Sequence, residues 1–126
     1  MTKMTKLIKN DKNFKAKVIN FIKTVPKGKV VSYGQAAAVC GKPRGAREVG
    51  RILRSIDTSK KVVPWWRVLN NRGVISIKGN WTADKELQGL LLRKEGVEVS
   101  EGLTLDIEKY RLGFMHQVSQ WSSSRK

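Results

Sequence analysis

The stretch Val63-Pro64-Trp65-Trp66-Arg67-Val68 constrains this chain more than any other. Pro64 fixes its own φ and biases Val63 towards extended backbone, so the segment is expected to be stiff and extended, not helical. Neighbours on extended backbone point to opposite faces. Trp65 and Trp66 are therefore expected not to share one core, and one flat ring is left to stack on a flat ligand. The alternative places both rings in the core, where tryptophan is highly buried on average.

The 126 residues fit one domain, large enough to bury a core. There are 26 lysines and arginines against 10 carboxylates, a formal net charge of +16 spread from Lys3 to Lys126. A field of that sign attracts polyanions, and nucleic acid is the first candidate. One cysteine, Cys40, excludes an internal disulfide. With His116 as the one histidine, no Cys/His zinc set can be assembled and no cofactor is implied. No apolar run approaches the roughly 20 residues of a bilayer span, and the lysine-rich start lacks the apolar region of a signal peptide. The expectation is a soluble intracellular protein without membrane contact, cytoplasmic at the nucleoid in a prokaryote or nuclear in a eukaryote.

Along the chain, residues 1–10 read as a basic flexible lead-in, 11–110 as one domain and 111–126 as a mobile basic tail. Phe14, Val18, Phe21, Ile22 and Val25 recur at helical spacing, predicting an amphipathic helix over 11–24 that Pro26 ends. Ser32-Tyr33-Gly34-Gln35 has the form of a capping box ahead of a short helix, Tyr33 to Val39. After the break at Gly41–Gly45 a second helix is expected to Ser55. Ala46, Val49, Gly50 and Leu53 form its packed face, Gly50 allowing close helix approach, and Arg47, Arg51 and Arg54 lie on another. Two short helices about a glycine-containing turn, with an arginine stripe on the second, read as a helix-turn-helix. The small residues that open the second helix favour shape and backbone reading over a base code. Further on, short strands are expected over Val74–Ile77 and Val97–Val99. Between them lies a helix from Thr82 with a Leu87, Leu90, Leu91 core stripe, closed by Gly96. The fold class is mainly α with a small β component, winged-helix-like.

Three collinear segments then carry a resemblance: Val25-Pro26-Lys27-Gly28-Lys29-Val30-Val31-Ser32-Tyr33-Gly34-Gln35, Gly45-Ala46-Arg47-Glu48-Val49-Gly50, and Pro64-Trp65-Trp66-Arg67-Val68 with Gly73 and Glu95-Gly96. Together, over residues 13–99, they resemble the C-terminal domain of O6-alkylguanine-DNA alkyltransferases. Those enzymes carry Pro-Cys-His-Arg-Val, in which the cysteine takes the alkyl group from an extruded base and a histidine with a downstream glutamate activates it. Here Trp65 stands at the cysteine's place and Trp66 at the histidine's, and only Glu95 is kept. An indole offers no thiolate and no general base, so alkyl transfer at this position is excluded chemically.

The chain thus looks like an alkyltransferase-like protein, the branch whose cysteine is commonly replaced by tryptophan. Such proteins bind O6-alkylguanine without repairing it and mark it for nucleotide excision repair. Most keep Pro-Trp-His-Arg, so Trp66 departs even from that pattern. The resemblance implies Arg47 as the finger that fills the stack, Tyr33 pressing on the phosphate 3′ to the lesion, and Trp65 as a pocket floor. It also implies Trp66, Arg67 and Lys78 around the flipped base. Ser32, Lys42, Arg44, Arg51 and Arg54 are expected at the DNA backbone. The family's asparagine after the arginine-bearing helix is replaced near Ile56, so that turn must be built differently.

The expected partners are double-stranded DNA containing O6-alkylguanine and nucleotide excision repair proteins, with the chain a monomer. A rival reading is a sequence-tolerant architectural DNA binder without lesion specificity. A third, residual transfer through Cys40, lacks an activating partner in sequence, and Cys40 is read as a packing residue.

Overall fold

In this computed structural model, residues 10–56, 62–75 and 85–113 are described, with side chains from Asn13 onward. Helix α1 spans Asn10–Lys23; its periodic apolar residues Phe14, Val18, Phe21 and Ile22, and Val25 just past its end, are all buried. Strand β1 is Val31–Ser32 and helix α2 is Tyr33–Val39. The capping box forms as the sequence requires: Gln35 N donates to Ser32 Oγ at 3.0 Å, and Ser32 N to Gln35 Oε1 at 3.3 Å. Helix α3 covers Ala46–Ser55 and buries Val49, Ile52 and Leu53.

A 3₁₀ turn over Trp65–Arg67 leads into strand β2, Val68–Leu69, which pairs in parallel with β1 in the register Val31–Val68 and Ser32–Leu69. Parallel strands need a crossover connection. Here the crossover contains the helix-turn-helix itself, so the small sheet fixes where α2 and α3 sit. Helix α4 is Lys85–Lys94 and the short α5 is Ile107–Tyr110. The chain beyond α5 returns to β1, where Leu112 N donates to Val30 O at 2.8 Å. Helix α4 ends in a Schellman pattern at Gly96, φ +91°, with Val97 N bonded to Leu92 O and Gly96 N to Arg93 O. The mainly helical class with a small β component is the observed one.

Four expectations give way. Val63–Val68 is not an extended run, because Arg67 N donates to Pro64 O at 3.1 Å and closes the 3₁₀ turn. The α4 stripe is shifted: Leu90 is exposed and Leu87 half-buried, while Gln88, Gly89, Leu91 and Leu92 face inward. The reason is Gln88, whose amide nitrogen donates to Trp66 O at 3.2 Å and Val68 O at 3.0 Å, so a polar residue belongs to the packed face. Val97–Val99 forms no strand, since Glu98 N is taken by the Tyr110 hydroxyl. Gly50 does not mediate close helix packing, because a Cβ there would meet nothing nearer than Arg54 Nη1 at 3.6 Å. Val74 makes one antiparallel bridge, to Thr104, and the remainder of the expected strand from Ser76 lies outside the described residues.

Candidate functional site

Glu95, just past the end of α4, organises the site. Its side chain is 8% exposed and its carboxylate accepts from three residues on two other segments. Arg67 donates through Nη2 at 2.6 Å and Nε at 3.0 Å, the Trp66 indole Nε1 at 2.8 Å, and the Gly28 amide at 3.1 Å. Arg67 Nη1 meanwhile holds Val25 O at 2.7 Å, and its guanidinium lies over the Trp66 ring, 5.3 Å from the centroid. The 3₁₀ turn, the end of α1 and the turn at Gly28 are thereby clasped to the end of α4. Gly28 is suited to this place: its φ is +84°, and a Cβ would stand 3.3 Å from Glu95 O. Burial alone would raise the Glu95 carboxyl, but the hydrogen bonds from Arg67, Trp66 and Gly28 outweigh it and hold the group below the usual glutamate range. Glu95 is an anion with its charge matched.

An indole nitrogen donates and does not accept. Trp66 therefore cannot pass a proton between Glu95 and a neighbour as an imidazole can, and the Trp66–Glu95 bond is a structural one. Both tryptophans are buried, Trp65 at 1% and Trp66 at 8% exposure, in the same core. Their rings meet edge to face, with centroids 6.0 Å apart and planes at 89°. This overturns the expectation of opposite faces. Successive residues of a 3₁₀ turn are about 120° apart and not 180°, so both rings reach one core. Among the described residues the buried Trp65 Nε1 has no hydrogen-bond partner, and neither has the buried Gln88 Oε1.

The helix-turn-helix presents the charge. Arg47, Arg51 and Arg54 on α3 are exposed, as is Arg44 in the turn before it, and among the described residues none of the four forms an ion pair. Lys42 differs, because it binds Glu48 at 3.2 Å and stands 4.7 Å over the Phe14 ring. Ser32 is buried and its hydroxyl is committed to the cap. Tyr33, the first residue of α2, is half-buried; burial raises its hydroxyl pKa while the charge of Arg54 pulls it back. Lys78 lies outside the described residues. At the C-cap of α2, Cys40 is 5% exposed, and burial pushes its thiol up to about 11 against the pull of Lys17. Such a thiol is a packing group, with almost no thiolate at neutral pH.

Two residues of consequence escaped the sequence reading. Gln88 supports the tryptophan turn from below. Arg111 donates to Gln35 Oε1 at 3.0 Å and Asn71 Oδ1 at 2.8 Å, tying the chain after α5 to the start of α2. A glutamine among leucines was a signal for the first; nothing in the pattern marked the second.

The family described as 6-O-methylguanine DNA methyltransferase, DNA binding domain, matches residues 13–97. A DNA base-flipping protein of Vibrio parahaemolyticus serotype O3:K6 is 40% identical over 98 residues, covering 78% of this chain and 94% of that protein. Alkyltransferase-like protein 1 of Schizosaccharomyces pombe is 40% identical over 86 residues, 68% of this chain and 78% of its own. The crystal structure of S. pombe Atl1 in complex with damaged DNA containing O6-carboxymethylguanine superposes with a TM-score of 0.73. It is 34% identical and covers 81% of this chain and 96% of that one.

Proposed function

The chain belongs to the family of the 6-O-methylguanine DNA methyltransferase DNA-binding domain, and on that premise we propose that it binds O6-alkylated guanine in duplex DNA, turns the base out of the stack and leaves the alkyl group in place. The observation that carries this reading is the pair Trp65–Trp66 on the Glu95–Arg67 clasp. The glutamate is retained, but what it holds is an indole that cannot act as a base, beside a second indole that cannot act as a nucleophile. The one thiol among the described residues, Cys40, is protonated and buried elsewhere. A fold that keeps the site and loses both reactive groups retains binding.

Extruding a base costs a few kcal/mol of stacking and pairing, and less where alkylation has already weakened the pair, which supplies part of the selectivity. In this reading Arg47 fills the vacated stack from the exposed face of α3. Tyr33 meets the phosphate 3′ to the lesion, and Arg44, Arg51 and Arg54 neutralise the backbone. Lys42 contributes less than its charge promises, because Glu48 shares it. Trp65 floors the pocket. At 1% exposure its ring is reached only when an incoming base displaces what covers it. The chain acts as a monomer and hands the marked lesion to nucleotide excision repair proteins.

The test is a fluorescence-anisotropy titration of a duplex with one O6-methylguanine against the same duplex with guanine. A preference of tenfold, about 1.4 kcal/mol, is expected. Trp65→Ala should abolish the preference and leave undamaged-duplex binding unchanged. Equal curves for the wild type would sink lesion recognition in favour of the sequence-tolerant binder, which the four exposed arginines would by themselves support.

A further inference from the structure

Each of the two adjacent indoles carries one N–H, and the structure treats them differently. Trp66 Nε1 has a strong acceptor, a largely buried, ionised carboxylate at 2.8 Å. Trp65 Nε1 is buried in a residue only 1% exposed and has no acceptor among the described residues. Buried tryptophan N–H groups normally find a partner, and an orphaned one gives up its hydration with nothing in return. A hydrocarbon ring would floor an apolar pocket without that cost. Nor is a buried water a ready substitute, since such waters need two to four polar partners. The buried residues that form this core are almost all hydrophobic, with Ser32 and Gln88 the polar exceptions. An unpaired donor at this position is the complement of an acceptor brought by a ligand.

We propose that the Trp65 N–H donates a hydrogen bond to the O6 substituent itself, so that the site favours adducts whose chain ends in an oxygen acceptor over hydrocarbon chains of the same length. The inference rests on the lesion-binding reading above and names the adduct class for that site. It has a definite sign. A purely apolar floor strips water from a hydroxyl and gives nothing back, and would therefore favour the hydrocarbon. A floor with a free donor reverses the order.

The experiment compares duplexes carrying guanine, O6-methylguanine, O6-propylguanine or O6-(2-hydroxyethyl)guanine. The last two are matched in heavy atoms and both are neutral, so the protein's net positive charge does not enter. Wild-type protein is expected to bind the hydroxyethyl adduct about fivefold more tightly than the propyl one, as one neutral hydrogen bond supplies. Replacing Trp65 by 3-benzothienylalanine keeps the bicyclic ring and removes the N–H; the hydroxyethyl-to-propyl ratio should then fall to one or invert. Equal or tighter propyl binding by the wild type overturns the proposal, as does a hydroxyethyl preference that survives the replacement. Loss of discrimination between O6-methylguanine and guanine in the wild type instead overturns the lesion-binding reading beneath it.

Discussion

At the scale of single residues, Glu95 is a lever on stability. Its side chain and that of Arg67 are 8% and 15% exposed, so this is a nearly buried pair with its hydrogen bonds filled. Removing one charge from such a pair leaves the other uncompensated. Glu95→Gln should therefore destabilise the fold by about 2–4 kcal/mol, read as a lowered urea midpoint near neutral pH. The pH dependence follows from the depressed carboxyl. Because the folded value lies below the ordinary glutamate value of about 4.3, the contribution is fully present above that pH and is lost as pH falls through the folded value. The gap between wild type and variant should close over that acid window and stay constant above it. A gap that persists unchanged well below it would show that the loss came from packing and not from charge. Trp66 adds a neutral donor to the same carboxylate and, unlike an imidazole, takes up no proton of its own as pH falls.

At the scale of elements, the antiparallel contact between the chain after β2 and the segment before α5 turns on Gly73. Its φ is +76°, and a Cβ would lie 2.2 Å from Leu105 O, while Leu105 N donates back to Gly73 O at 2.9 Å. Gly73→Ala must strain φ and break that approach at once. It is expected to cost about 3 kcal/mol or more in chemical denaturation, with lesion preference retained in the fraction that folds. The sequence showed that a turn lay here, from Asn70-Asn71-Arg72-Gly73, but not which backbone it would meet. The same division runs through the molecule. Helix α1, the capping box and the arginine face of α3 were legible, because each is set by periodicity or by contacts three or four residues apart. The tryptophan turn was misread, because proline's local preference for extended backbone before it says nothing of the 3₁₀ bond that follows. The inward face of α4 was misread because Gln88 is recruited by carbonyls some 20 residues earlier in the chain. The Glu95 site was found by resemblance to a family motif; its partners Gly28 and Val25 lie 67 residues from Glu95 and 42 from Arg67 and leave no local pattern.

At the scale of the whole molecule, charge and pocket make separable contributions to binding, and salt separates them. The net charge of +16 and the unpaired arginines of the helix-turn-helix act on phosphates, which are the same in damaged and undamaged duplexes. Affinity for both should fall with log salt at a slope of about −0.9 per phosphate neutralised. On the proposed reading, the lesion preference arises in a buried, apolar site whose ion pair among the described residues, Arg67–Glu95, is internally matched. It releases no counterions, so plots of log affinity against log salt for the two duplexes should be parallel lines with a fixed offset. Substitutions should then sort by which feature they move. Arg51→Ala or Arg44→Ala should flatten both lines by about 0.9 and leave the offset alone, whereas Lys42→Ala should flatten them less, because Glu48 already holds that lysine. If Arg47 is the proposed finger, Arg47→Ala should shrink the offset, since a finger acts only when a base has left the stack. Lines that converge at high salt would mean that the preference is itself electrostatic, and the tryptophan pair would then be core and nothing more.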